Sequence, residues 1–209
     1  MYKSFCLVAF LLPIPSFAGF TFSGSFTQDD NLLQYQFTIA SASTVTLESF
    51  SYGGDGGSVP AGGFAPVLSL FGAGSAVFDD GGMQPTCSPR TPDPSVPGDL
   101  CLDAYLTVPS LNPGTYLVTL TENDNTPIGP DFADGFTEQG NGNFTGVNQG
   151  FPGKSFLDPF GNQRTPNFDF TISGVDSAVA LPEPSTVSLF IAGLGLLAFK
   201  RKMLLRKSR

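Results

Sequence analysis

The sequence contains no histidine and no tryptophan, and only 13% of its 209 residues are charged. The absence of histidine excludes the Ser-His-Asp and Cys-His arrangements that activate a nucleophile. Neither a Gly-x-Ser-x-Gly elbow nor a phosphate-binding Gly-x-x-x-x-Gly-Lys-Ser/Thr loop occurs. We therefore predict that the protein is not an enzyme. A carboxylate-dependent hydrolase remains the weaker alternative, because glycoside hydrolysis needs only two carboxylates.

Basic residues are scarce in the central part of the chain. Residues 19–182 contain 17 acidic side chains but only three basic ones, Arg90, Lys154 and Arg164. A body with a net charge near −14 repels nucleic acid, whose binding depends on cationic contacts with phosphate. The same acidity favours solubility and is compatible with a divalent cation. We therefore predict no nucleic-acid partner.

Glycine, proline and phenylalanine are abundant, with 25, 18 and 21 residues respectively. The segments Leu33–Ile39 and Thr115–Thr121 alternate apolar with polar residues, as half-buried antiparallel strands require. About six similar segments follow one another between glycine and proline turns. The pattern predicts an all-β body over residues 19–177, built as an antiparallel two-sheet sandwich or jelly roll. Without tryptophan, phenylalanine must supply most of the aromatic core.

The N-terminus has the pattern of a secretory signal. Lys3 precedes an apolar run from Phe5 to Leu12, and Ser16-Phe17-Ala18 has small residues at positions −3 and −1. The apolar run is too short to span a bilayer, which disfavours a membrane anchor. We predict that residues 1–18 form a signal helix that is removed on export.

The C-terminus has a second ordered pattern. Pro182, Glu183 and Pro184 precede the apolar run Val187–Phe199, and six basic residues lie in the last ten positions. The run is short for a transmembrane helix, but a basic end can extend its effective length and stays cytoplasmic. This order resembles the PEP-CTERM sorting signal of Gram-negative bacteria.

This resemblance implies that residues 178–209 are a sorting tail with Pro182, Glu183 and Pro184 as its motif. An exosortase would recognise and cleave the tail, after the short transmembrane helix has held the exported chain in the inner membrane. The mature protein is then expected at the cell surface or outside the cell. The resemblance also implies exopolysaccharide as a partner, because bacteria with such tails usually produce it.

The body is similar to DVUA0089-type proteins and, more loosely, to bacterial pre-peptidase C-terminal domains. The similarity is carried by five segments, Asp29–Asn31, Gly62–Phe71, Asp79–Gly82, Asp103–Leu106 and Pro113–Tyr116. It implies a secreted accessory domain without catalytic residues. We predict a non-catalytic surface or matrix protein that is adhesive, structural or associated with exopolysaccharide. A polysaccharide-binding or ice-binding module is the alternative.

Two cysteines, Cys87 and Cys101, remain once the predicted signal is removed. In an exported chain such a pair predicts a disulfide. A bond that closes a loop of about 15 residues is worth about 3 kcal/mol in the chain-entropy treatment.

Several aspartates fall at predicted strand ends, where hard oxygen ligands could converge on calcium. They are Asp29, Asp30, Asp79, Asp80, Asp103 and Asp124. The alternative is that each forms a turn through its own backbone. Calcium is the one candidate cofactor that these aspartates suggest, and Asp79 and Asp80 are its first candidate ligands.

Overall fold

The computed structural model describes residues 19–55, 58–72, 78–80 and 101–182. These residues are mostly β-strand with almost no helix, which confirms the all-β class. Within them, no helix is long and apolar enough to cross a membrane. The predicted signal helix and C-terminal transmembrane helix lie outside the described residues.

The described residues contain nine strands, which form two antiparallel sheets. They are β1 Phe20–Ser25, β2 Leu33–Ile39, β3 Ser43–Ser49, β4 Pro66–Phe71, β5 Phe78–Asp80, β6 Tyr105–Leu111, β7 Gly114–Glu122, β8 Asn167–Ser173 and β9 Ser177–Leu181. The four-stranded sheet has the order β1-β8-β3-β6, and the five-stranded sheet has the order β5-β4-β7-β2-β9.

The strand order is that of a jelly roll. From β1 to β8, each strand lies in the opposite sheet from the strand before it, except β5, which pairs with β4. The last strand of this set, β8, returns to pair with β1, where Phe22 lies opposite Phe170. The observed order therefore selects the jelly roll from the two predicted architectures.

Apolar side chains from both sheets meet in the main core between them. Phe37 and Leu120 enter it from the five-stranded sheet, and Leu47, Phe170 and Ile172 enter it from the four-stranded sheet. All five are completely buried. Burial of one such side chain contributes about 1.5–3 kcal/mol, so this core supplies the main stabilisation of the fold.

Phenylalanine and tyrosine rings form the aromatic part of this core, as the composition predicts. Tyr35 of β2 lies 5.1 Å from Phe170 of β8, between ring centroids, and so connects the two sheets. The loop residues Phe26 and Phe64 are 4.5 Å apart. Such ring pairs add about 0.5–1.5 kcal/mol beyond the area that they bury.

The long connection between β7 and β8, residues 123–166, forms a loop layer against the five-stranded sheet. It contains only a short 3-10 helix, Phe132–Asp134, and a single helical turn, α1 Thr145–Asn148. Phe71 of β4 lies 5.7 Å from Phe132 and 6.2 Å from Phe136, between ring centroids. The loop layer explains why every residue of β4 is buried, where the alternating pattern predicts one exposed face.

The last strand, β9, extends past the boundary predicted between body and tail. Ser177 to Leu181 pairs with β2, so strand pairing continues beyond residue 177. Pro182 follows directly, and proline lacks the N–H that a further ladder bond needs. The sorting motif thus begins where the sheet ends.

Candidate functional site

A cleft of about 390 Å³ with a mixed polar and apolar lining lies beside the edge strand β1 of the four-stranded sheet. One side is formed by β1 and β8 and the other by the loop between β3 and β4. Polar lining residues from the strand side are Ser23, Asn167 and Asp169, and the loop side contributes Ser58, Val59, Pro60 and Ala61. Its volume lies within the range of about 300–1,000 Å³ that small-molecule sites occupy.

The pairing of β1 with β8 places the strand-side residues. Ser23 lies opposite Asp169, and Asn167 lies two residues before Asp169 on the same face of β8. No hydrogen bond joins the Asp169 carboxylate to another side chain or backbone group in the part of the chain that the structure describes. Burial raises the pKa of Asp169, and the negative charge of Asp55 raises it further.

The backbone of Asp169 is held firmly although its carboxylate is not. Its N–H donates to Ser51 Oγ at 3.0 Å, and its carbonyl oxygen accepts from the N–H of Phe50 at 3.0 Å. The backbone from which the side chain extends is therefore fixed, while the carboxylate oxygens accept no hydrogen bond from the described residues. A half-buried acceptor of this kind is suited to a ligand that brings its own donors.

The loop side is shaped by Asp55. Its carboxylate accepts from the N–H of Val59 at 2.8 Å and from Ser58 Oγ at 3.0 Å, and its own N–H donates to the Val59 carbonyl oxygen at 3.2 Å. Farther along, the N–H of Gly63 donates to the Ser51 carbonyl oxygen at 2.7 Å. These hydrogen bonds hold the described residues of the β3–β4 loop in place.

Arg164 ties this loop to the loop layer. Its Nε donates to the Gly63 carbonyl oxygen at 3.0 Å, and its Nη2 donates to the Tyr52 carbonyl oxygen at 2.9 Å. The guanidinium carbon also lies 3.7 Å from the centroid of the Tyr52 ring, in cation–π geometry. One of only three basic residues in the body is thus used to position the loop.

Two glycines allow close packing around the cleft. A Cβ on Gly63 would collide with the carbonyl oxygens of Asn167 and Ser51, and a Cβ on Gly24 would lie 2.9 Å from the Phe168 ring. Any larger residue at either position would push the loop or the ring aside. Gly63 therefore keeps the loop seated against β8, and Gly24 leaves room for the Phe168 ring.

Two of the predicted calcium ligands have structural roles instead. Asp29 is completely buried, and its carboxylate accepts from the N–H of Phe156 at 2.9 Å and from both the N–H and Oγ1 of Thr145. Asp103 accepts from Ser49 Oγ at 2.9 Å and from the N–H groups of Tyr52 and Gly53 at 2.9 and 2.7 Å. These donors fix loops to the sandwich.

Asp30 and Asp124, from the same predicted set, lie in turns. Asp30 Oδ2 accepts from the N–H groups of Gly140 and Gly142, and Asp124 has a positive φ of 71°. Among the described residues, no three or more carboxylate or thiol side chains are placed to hold one metal ion.

The first predicted calcium ligands, Asp79 and Asp80, lie in β5, where their backbones pair with Ser69 and Leu68. Calcium binding there stays a prediction. Cys101 is buried, and Cys87 lies outside the described residues, so their disulfide also stays a prediction. Of the sorting motif, only Pro182 lies within the described residues.

Sequence patterns do not identify Glu122, the last residue of β7. It is completely buried, and neither carboxylate oxygen has a hydrogen-bond partner among the described residues. The nearby Asn125 Nδ2 likewise has none within that part of the chain. Burial raises the pKa of Glu122 well above its usual range, and the charges of Asp29, Asp124 and Asp158 raise it further, against a lowering by Arg164.

The family model of the PEP-CTERM protein-sorting motif matches residues 180–207. The chain carries a PEP-CTERM sorting tail. This tail marks an exported protein that an exosortase processes at the membrane, after which it is associated with the surface. The match begins within β9, so the PEP-CTERM tail adjoins the jelly roll directly. A search of curated proteins finds no match for the chain.

Proposed function

We propose that the protein is a non-catalytic component of the cell surface or extracellular matrix that associates with exopolysaccharide. The observation that carries this proposal is the PEP-CTERM motif at residues 180–207, which assigns the chain to an export and processing route. The jelly-roll body is then the part that acts outside the cell. Its role there is to bind or pack within the polysaccharide that surrounds the cell.

The body supports this proposal in two ways. Jelly rolls occur in lectins as well as in capsid proteins, so the fold is compatible with sugar binding, although a fold alone assigns no function. The cleft beside β1 also combines hydroxyl, amide and carboxylate groups with small apolar groups, which can pack against the C–H faces of a sugar. A site of this composition suits a ligand rich in hydroxyl groups.

The sorting part of the proposal is tested by changing the motif in a host that contains an exosortase. We expect the wild-type chain to lose its tail near Pro182, and a variant with Pro182→Ala, Glu183→Gln and Pro184→Ala to keep it. Mass spectrometry of the exported protein measures the mature length directly. Pro152→Ala, in an exposed part of the loop layer, is the control and should leave processing unchanged. An intact tail on the exported wild-type protein would show that the tail is a permanent anchor. This result would overturn the sorting part of the proposal.

A further inference from the structure

We propose that the cleft between β8 and the β3–β4 loop is a binding site for neutral polysaccharide, in which Asp169 accepts hydrogen bonds from sugar hydroxyls. This inference rests on the proposed association with exopolysaccharide and places it at particular residues. It also names the chemical class of the polymer.

Asp169 has the properties of a ligand-binding acceptor. Its side chain is half-buried, its backbone is fixed by Ser51 and Phe50, and no described residue donates to its carboxylate. An ionised carboxylate offers about four acceptor positions on two oxygens. Two neighbouring hydroxyls of one sugar ring can therefore donate to it together. Hydrogen bonds from hydroxyls to a carboxylate are roughly twice as strong as those between neutral groups.

Asn167 and Ser23 extend the polar side of the cleft. Both are exposed, and the structure shows no hydrogen bond from either side chain to any residue that it describes. They are neighbours of Asp169, along β8 and across the strand pair. An amide and a hydroxyl can each donate and accept, as sugar hydroxyls do. Asn167 and Ser23 thus flank Asp169 on two sides, so the three side chains can contact neighbouring hydroxyl groups of a polymer.

The opposite side of the cleft is less polar and is held in place before any ligand arrives. Val59, Pro60 and Ala61 present small apolar groups to the cleft, which can pack against the C–H groups of a sugar ring. The bonds from Asp55 and the contacts of Arg164 hold this loop in position. A loop that is already ordered does not have to be ordered on binding, so the entropic cost of binding is smaller.

The charge of the protein selects a neutral polymer. Asp169 lies in the cleft and Asp55 lies close enough to affect its titration, so both would repel the carboxylates of an acidic polysaccharide. The body as a whole has 17 acidic and three basic residues between positions 19 and 182, which adds to this repulsion. The carboxylates of an anionic polymer are also acceptors only, so they cannot donate a hydrogen bond to Asp169.

The test measures the affinity of the full chain, kept in mild detergent, for three neutral polysaccharides (dextran, galactomannan and xyloglucan) and for alginate as an anionic probe. We expect wild-type protein to be retarded by at least one neutral polymer in affinity electrophoresis. Asp169→Asn should weaken this binding by about ten- to a hundredfold, the effect of losing hydrogen bonds to a charged group. Asn167→Ala should weaken it by about three- to tenfold.

Asp124→Asn is the matched control, because it removes the same charge from an exposed turn and asparagine tolerates its positive φ. It should leave binding unchanged. Equal binding by wild type and Asp169→Asn would overturn the cleft as the site but leave the association with polysaccharide. Tighter binding to alginate would overturn the neutral class. Absence of binding to all four polymers would overturn both proposals, and release of reducing ends would overturn the non-catalytic role.

Discussion

The loop layer and the cleft both use aspartate, but the two regions treat the carboxylate in opposite ways. Asp29, at the loop layer, is completely buried and receives three hydrogen bonds from Phe156 and Thr145. Asp169, in the cleft, is half-buried and receives none from the described residues. The supply of donors, more than the degree of burial, separates a carboxylate that holds loops together from one that is available to a ligand.

Glu122 adds an informative third case to this comparison. It is buried as completely as Asp29, yet the described residues offer it no donor. An ionised carboxylate in this position would lack both water and protein partners, which is costly. The raised pKa of Glu122 expresses this cost, and its side chain is therefore neutral over a wider pH range than an exposed glutamate.

The largest effect is expected from Asp29→Asn. Both oxygens of Asp29 accept hydrogen bonds, so the amide nitrogen of asparagine must face either the N–H of Phe156 or the N–H of Thr145. The substitution therefore removes a hydrogen bond to a charged acceptor and brings two N–H donors face to face. Together these changes should lower the free energy of unfolding by about 2–4 kcal/mol. Urea denaturation measures this change.

The neighbouring residue gives the control for this prediction. Asp30 accepts both of its hydrogen bonds, from Gly140 and Gly142, at the single oxygen Oδ2. Asparagine can supply one such oxygen, so Asp30→Asn should cost no more than about 1 kcal/mol. If the two substitutions had equal effects, the donors around Asp29 would not explain its role.

A smaller effect of opposite sign is expected from Glu122→Gln. Because the folded-state pKa of Glu122 is raised, its neutral form stabilises the fold fully below the unfolded-state pKa of about 4.3. This contribution is lost as pH rises from there through the folded-state pKa. Glutamine stays neutral throughout, so the variant should be about 1–3 kcal/mol more stable than wild type at pH 7.

The pH dependence separates this cause from a simple change in packing. The stability difference between Glu122→Gln and wild type should nearly vanish at pH 4 and grow by up to about 1.4 kcal/mol per pH unit above it. Thermal or urea unfolding of both proteins at several pH values measures it. A difference that does not change with pH would contradict the assignment of a raised pKa to Glu122.

The local part of the fold could be predicted from the sequence, whereas the order of strands could not. Alternation between Thr115 and Thr121 predicts a strand because the side-chain period of a strand is two, and β7 covers this segment. The pairing of β1 with β8 joins residues such as Phe22 and Phe170, which are far apart in the chain. Local patterns contain no information about such partners.

The same limit applies to the site. The sequence places Asp29 at a strand end, but its donor at Phe156 is 127 residues away. Nothing in the local sequence shows that this donor will be present, so Asp29 resembles any turn former or calcium ligand. Asp169 is predictable as a polar residue on the outer face of a strand. Its open acceptor positions become visible only when the β3–β4 loop is seen beside it.

The smallest effect on stability is expected from Asp169→Asn. Burial and the charge of Asp55 disfavour its ionised form, so removal of the charge should raise stability slightly. Solvent screening of this half-buried group limits the gain to about 0.5 kcal/mol at pH 7. Thermal unfolding without ligand measures it. A loss comparable with that of Asp29→Asn would show that the Asp169 carboxylate has a structural partner, and its part in binding would have to be abandoned.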